Sequence, residues 1–212
     1  FGREARQVLD RAREVMASSI GAIANEIIFT SGGTESDNHA IFGVARANQN
    51  KGKHIITSEI EHHAVLHACE ELEREGFEVT YLPVNNEGVI EVDTVKKALR
   101  EDTILVTIMY ANNEVGTIQP IAEIGKLLVN HQAVFHTDAV QAYGLLPIDV
   151  NEAHIDLLSV SAHKINGPKG IGFLYCRKDI SLPSRLFGGE QERKRRAGTE
   201  NVPAIAGFLE AV

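Results

Sequence analysis

The stretch TILVTIMYANNEVGTIQPIAEIGKLLVNHQAVFHTD, residues 103–138, carries the reading of the fold. Residues 103–109 are apolar at every position except two threonines, as expected of a strand covered on both faces. Pro120 opens a helical pattern that runs to His131, and residues 133–137 return as a second strand ending at Asp138. Two buried strands joined through a helix form a parallel crossover, because a tight turn cannot connect parallel neighbours.

The same alternation extends both ways. Upstream, residues 26–30, 53–58 and 77–82 read as strands, while 3–20, 35–48, 61–75 and 94–100 read as helices. Gly21 and Gly76 stop two of these helices, and Asn85-Asn86-Glu87-Gly88 marks a turn. Downstream, apolar runs at 156–161 and 171–176 flank a loop holding Gly167, Pro168 and Gly170. The expectation is an α/β domain with a mostly parallel, mixed seven-stranded sheet flanked by helices. Ligands in such sheets bind beyond the carboxyl ends of the strands. No internal repeat or linker divides the chain, and 212 residues with 43% hydrophobic content suffice for one core.

Charge and cysteine usage exclude several classes. With 29 acidic against 21 basic residues the formal net charge is -8, which argues against a general binder of nucleic acid or anionic membranes. Arg193-Lys194-Arg195-Arg196 is the local exception and reads as a flexible loop at a subunit boundary. No apolar run reaches membrane-spanning length. Cys69 and Cys176 form no CxxC pair, which fits a reducing cytoplasm rather than a disulfide framework. Cys69 falls in register with Val65, Leu66 and Leu72, and Cys176 ends a strand, so both read as core thiols. The chain opens at Phe1 inside a helical pattern without an initiator Met and ends at Val212 inside another, the signature expected of a fragment.

The unusual residues gather at strand ends. Thr34, His62, Asn113, Asp138, Gln141, Ser161, His163 and Lys164 all follow strands or begin the next helix, so they could converge on one crevice. Ser31-Gly32-Gly33-Thr34 is a glycine turn ahead of a helix, where free amides and the positive dipole end suit a phosphate. Lys164, at a strand end in Ser161-Ala162-His163-Lys164, could lose its proton if partly desolvated and form a Schiff base with an aldehyde. A plain capped turn and a solvated loop lysine are the simpler readings of either motif alone. Taken jointly, the set suits pyridoxal 5'-phosphate. Asp138 would keep the ring nitrogen protonated, Gln141 would meet the phenolic oxygen, and Thr34, Ser161, His163 and the amides near Gly33 would hold the phosphate. His54, His62, His63 and His67 include no HExxH arrangement and no cysteine partner, so no metal site is expected.

Six motifs in order carry a resemblance: SGGTESDN (31–38), EHHAV (61–65), YANNEVGTIQPI (110–121), HTDAVQAYG (136–144), SAHKINGPKGIGFLY (161–175) and GGEQERKRRAGTEN (188–201). Together they resemble the pyridoxal-phosphate cysteine desulfurases, aminotransferase class V enzymes of fold-type I in the branch associated with iron-sulfur cluster assembly. The resemblance implies Lys164 as the Schiff-base lysine and proton carrier, and His62 as the imidazole stacked on the ring. It implies Asp138 and Gln141 as ring partners, and Asn113 near the ring and the substrate carboxylate. Gly33, Thr34, Ser161 and His163 would line the phosphate, and Thr199 would reach the phosphate of a neighbouring subunit in a homodimer. Desulfuration of L-cysteine to L-alanine is implied, with sulfur passed as a persulfide to an acceptor protein such as an iron-sulfur scaffold or a tRNA-thiolation enzyme. Relatives run to nearly twice this length, so residues 1–212 correspond to the cofactor-binding large domain. An N-terminal segment and a small domain bearing the nucleophilic cysteine and the carboxylate-binding arginine have no counterpart here. Selenocysteine lyase, aminotransferase and a catalytically silent cofactor-binding fragment are the alternatives.

Overall fold

Strands without a polar face must be covered on both sides, and the computed structural model, which describes residues 2–212, shows how. In chain order the first half gives α1 (Gly2–Ser18), β1 (Ile27–Thr30), α2 (Gly33–Asn48), β2 (His54–Ser58), α3 (His63–Arg74), β3 (Glu78–Leu82) and α4 (Val92–Ala98). The second half gives β4 (Thr103–Thr107), α5 (Ile121–Leu128), β5 (Val134–Asp138), β6 (Leu157–Ser161), β7 (Gly172–Cys176) and α6 (Val202–Ala211). The strands form one sheet in the order β1-β7-β6-β5-β4-β2-β3. Pairs from β3 through β6 are parallel, and β7 runs antiparallel between β6 and β1. The expected seven-stranded, mostly parallel mixed sheet is therefore the observed one.

Alternate residues of each strand feed two cores. Phe29, Ile56, Val106, Phe135, Leu158 and Phe173 face α1, α4, α5 and α6, where Met16, Val95, Ile124 and Phe208 meet them. Ile28, Ile55, Leu105, Leu157 and Leu174 face α2 and α3 through Ile41, Val44, Val65 and Leu72. Each such buried side chain contributes about 1.5–3 kcal/mol of transfer free energy. Three layers result, with α2 lying across the middle of the sheet.

Several element ends depart from the sequence reading for local polar reasons. α3 starts at His63 rather than Glu61, because the Glu61 side chain turns inward to accept hydrogen bonds from Ser58 Oγ and the Met109 amide. That second bond also ends β4 at Thr107, short of the expected Met109. α5 stops at Leu128 instead of His131, whose ring Nδ1 accepts from the Ala133 amide and so competes with the helix. The second half of the run 193–196 is tied down rather than loose. Arg195 donates to the Asn25 carbonyl, Arg196 pairs with Glu35, and Lys194 lies 3.1 Å from Glu190.

The strand-end rim depends on one close backbone approach. A Cβ on Gly172 would meet the Val160 carbonyl oxygen and lie 2.8 Å from the Gly32 Cα, and the Val160 backbone cannot retreat without breaking the β6–β7 pairing. Gly172→Ala should therefore lower stability by about 1–3 kcal/mol. Urea unfolding of the variant checks this; an unchanged midpoint would show that the Gly32 turn moves freely.

Candidate active site

β1, β2, β4, β5 and β6 are mutually aligned, and their carboxyl ends share one rim of the sheet. A cleft of about 190 Å³ opens there. Gly33, Thr34, His62, Asn113, Asp138, Gln141, Ser161, His163 and Lys164 line it, together with Met109, Ala111 and Val140. Every residue that the sequence singles out as facing one crevice is thus brought to a single cavity. Thr199, expected to serve a neighbouring subunit, lies elsewhere; it is exposed in a separate groove with Ser31, Glu192 and Arg196.

Local chemistry sets each position. Gly32, at φ 146°, precedes α2 and offers no side chain to cap it, leaving the first helical amides beside Thr34 available to an anion. Gly33 is needed too, because a Cβ there would come within 2.7 Å of Val140 Cγ2. His62 caps α3, its Nδ1 accepting from the Ala64 amide at 3.0 Å, which fixes the imidazole over the cleft. Lys164 sits beyond the strand end rather than at it, in a 3₁₀ turn (Ala162–Ile165) closed by left-handed Asn166 at φ 65°. Its side chain is exposed, so the expected partial desolvation is absent in this chain. Ser161 Oγ and His163 Nδ1 are 2.7 Å apart, and desolvation with the charges of Lys164 and Lys169 pushes the His163 pKa down.

Beneath the cleft lies a buried acidic floor that the sequence reading missed. Asp37 from α2 is 1% exposed, and polar side-chain atoms of Asp37, His62 and Asp138 all lie within 4.8 Å of one another. Asp138 Oδ1 accepts from the Val140 amide at 2.9 Å, which orients the carboxylate at the end of β5. Burial raises the pKa of both aspartates, Asp37 well above the usual carboxylate range. Two carboxyls this close in a buried site oppose each other's ionisation, which favours one proton on the pair. Glu61 is also raised by burial, to about 8. His136, fully buried between Thr107 Oγ1 and Ser159 Oγ, is pushed down to about 3 and stays neutral. A signal for Asp37 existed: it shares the helical stripe of Ile41 and Val44, so an acid stands where the pattern demands an apolar residue.

The histidines considered as metal ligands do not converge. His54 is buried in β2 between Thr103 and Thr80 hydroxyls, whereas His63 and His67 pair on the exposed side of α3. The Asp37–His62–Asp138 group has the compactness of a cation site. Its shared proton and the Val140 bond suit it instead to receiving an N–H from a ligand in the cleft. Both thiols are core residues, Cys69 at 0% and Cys176 at 2% exposure, and burial pushes both pKa values up.

The family model for aminotransferase class-V matches residues 1–212. The IscS 1 protein of Bacillus subtilis (strain 168) is 66% identical over all of this chain and 56% of its own length. The protein named cysteine desulfurase IscS of Methanosarcina thermophila is 60% identical, with 52% of its length covered. A solved structure described as "SspA in complex with cysteine" superposes with a TM-score of 0.96 at 45% identity, over 99% of this chain and 61% of that one. The chain spans about half the length of the curated relatives it matches.

The buried acid Glu61 gives a pH test. In the fold it keeps its proton up to about pH 8, while an unfolded glutamate releases it near pH 4.3, so the native state binds more protons in between. Stability therefore falls as pH rises across that window, by up to about 1.4 kcal/mol per unit, and levels off above it. Glu61→Gln should remove this slope and gain most at high pH. Urea midpoints of wild type and variant at several pH values check it; a constant difference would mean Glu61 is ionised in the fold.

Proposed function

The chain belongs to the aminotransferase class-V family, and from that premise we propose that residues 1–212 are the pyridoxal-phosphate-binding large domain of a cysteine desulfurase. One observation carries the reading: an amine, a buried carboxylate, an imidazole and a set of anion donors line one cleft at the strand ends. The fit to the cofactor is a matter of donor chemistry. The uncapped α2 N-terminus with Thr34, Ser161 and His163 offers hydrogen-bond donors for a phosphate, and Asp138 offers a buried acceptor for a ring N–H. Gln141 and Asn113 supply amides on either side, suited to a phenolic oxygen and a substrate carboxylate.

When bound, pyridoxal phosphate supplies an aldehyde that captures amines and a protonated ring that accepts electrons from the carbon bearing the substrate's amino group. Asp138 would hold the ring-nitrogen proton through a charge-assisted bond. Lys164 would hold the cofactor's aldehyde carbon and could serve as the base for a proton at the substrate Cα; its exposure on a short turn leaves the side chain free to swing. His62, pinned by its cap bond at the cleft, would cover one face of the ring.

The substrate follows from the relatives named as desulfurases, L-cysteine, with alanine and transferable sulfur as products. Neither Cys69 nor Cys176 can attack a substrate sulfur, since both thiols are enclosed and held protonated. The reading therefore requires a thiol from outside residues 1–212, from which an acceptor for iron-sulfur or tRNA thiolation chemistry takes the sulfur. Thr199, exposed and turned away from the cleft of its own chain, suits a homodimer in which it serves a second copy. Two unpaired, buried cysteines suit a reducing compartment, which we take as the cytoplasm.

Borohydride reduction of the cofactor-loaded complete polypeptide, followed by peptide mapping, tests the site. The label is expected on Lys164 and absent from Lys164→Ala; a label on Lys169 or Lys178 would sink the assignment. Asp138→Asn should retain the Lys164 label yet lose most turnover, because a neutral amide cannot hold the ring proton.

A further inference from the structure

We propose that Asp37 is a positioning residue: its carboxyl O–H bonds the Asp138 carboxylate and so fixes the orientation and single charge of Asp138 toward the ring nitrogen of bound cofactor. The inference rests on the reading of the cleft as a pyridoxal-phosphate site. Asp37 lies one helical turn after Thr34 on α2, so the same helix that aims its amides at the phosphate end sends an acid beneath the ring end.

The argument is geometric first. Asp37 touches neither the cleft wall nor solvent, yet its carboxyl stands within 4.8 Å of Asp138 and His62. Two carboxyls that close in a dry core cannot both ionise, so one proton is shared. The partners decide which group carries it. Asp138 accepts the Val140 amide and faces the His62 imidazole, both of which favour its anion. Asp37 Oδ1 is buried without a hydrogen-bond partner, and His136 Nε2, 3.6 Å away, belongs to a ring that stays neutral; the Ser159 hydroxyl favours the Asp37 anion, but burial and the Asp138 charge outweigh it. From the elements packed on α2, the titratable groups facing Asp37 are Asp138 and His136 of β5 with Glu61 and His62 from the entry to α3. The Asp138 charge opposes a charge on Asp37. Asp37 is therefore the acid and Asp138 the anion, and the acid's O–H gives Asp138 a second donor after the Val140 amide. With two donors behind it, the carboxylate cannot rotate away from the cleft or take up a proton readily.

The test uses the complete polypeptide loaded with pyridoxal phosphate, in wild type, Asp37→Asn and Asp37→Ala forms. The readouts are the pH dependence of the bound cofactor's visible absorbance and the cofactor dissociation constant. The amide of Asp37→Asn can still donate, so its absorbance profile should stay near wild type. Asp37→Ala should move the absorbance transition by about one pH unit or more and weaken cofactor binding roughly tenfold. A role in packing alone would lower thermal stability without moving the profile, so an unshifted profile in Asp37→Ala overturns the proposal, as does an Asp37→Asn profile that moves as far as the alanine one. Infrared spectra of the cofactor-free protein at neutral pH give a second measurement if the alanine variant does not fold. A carboxylic-acid carbonyl band lost in Asp37→Asn supports the assignment, and no difference overturns it. A wild type that takes up no cofactor would instead refute the reading of the cleft, while the infrared band would still decide the Asp37–Asp138 pairing.

Discussion

A carboxylate at the buried end of a central strand is the constraint on which the rest of this molecule depends. Asp138 is 6% exposed, and its charge can persist there only if the surroundings supply donors. The backbone supplies part of the answer. The Tyr110 amide donates to the Asp138 carbonyl and the Ala139 amide to the Ser159 carbonyl, so the ends of β4, β5 and β6 are tied together at this residue. With the main chain fixed, the Val140 amide can meet the Asp138 side chain at 2.9 Å. The neighbours then follow: Glu61 turns inward as a neutral acid, His62 is left to cap α3, and the imidazole arrives over the cleft.

The other end of the cleft is held by an ion-pair bracket. Glu192 is buried, accepts the Phe29 amide, and takes two bonds from the Arg13 guanidinium at 2.7 and 2.5 Å. Glu192, Arg193 and Lys194 adopt left-handed backbone in succession, at φ 47°, 55° and 65°, a conformation that costs about 1–3 kcal/mol at each non-glycine position. Removing one partner of such a buried pair would leave the other charge uncompensated at a cost of about 3–5 kcal/mol, so the turn that carries Glu192 is kept against Arg13. Four residues on, Arg196 reaches Glu35 in the first turn of α2 with bonds of 2.8 and 3.1 Å. The start of α2 is thereby fixed on one side by this turn and on the other by the Gly172–Gly32 approach. An anion seat built from backbone amides needs that rigidity, since the amides have no side-chain freedom with which to adapt.

Legibility followed the strength of the periodic signal. Six of the seven strands could be read because residues such as Ile104, Leu105 and Val106 are buried on both faces, leaving no rival pattern, whereas edge strand β3 is only half-buried and shows in its Val79, Thr80 and Tyr81. The crevice residues could be read because each follows a strand in a parallel sheet, where topology alone dictates a shared rim. What stayed hidden was polar and tertiary. Nothing local says that Glu61 leaves the helix pattern to serve Ser58 and Met109, or that His131 bonds backwards and ends α5. The run 193–196 looked like a solvated loop because charge was read without partners, whereas Asn25 and Glu35 lie far away in sequence. Asp37 was missed for the opposite reason: an acid on an apolar stripe reads as noise in a helix pattern until the carboxylate opposite it is known.

The fold thus divides its chemistry by mobility. Groups whose charge must stay in one place, Asp138 with Asp37 beneath it, come from a buried strand end and a buried helix turn. On the desulfurase reading the group that must move is Lys164, which stands on a four-residue turn closed by Asn166 and Gly167 and is open to solvent. Cys69 and Cys176 fall on the wrong side of that division. Their sulfurs are packed into α3 and β7, with the Cys69 thiol held protonated by burial and by Glu61, Glu73 and Glu70. A persulfide-forming thiol must approach the substrate, ionise, and then withdraw with its sulfur, and a helix or strand position permits none of these steps. On the desulfurase reading the mobile partner of this rigid cleft is accordingly a loop thiol, and the exposed face around Lys164 and His62 is where such a loop has room to enter.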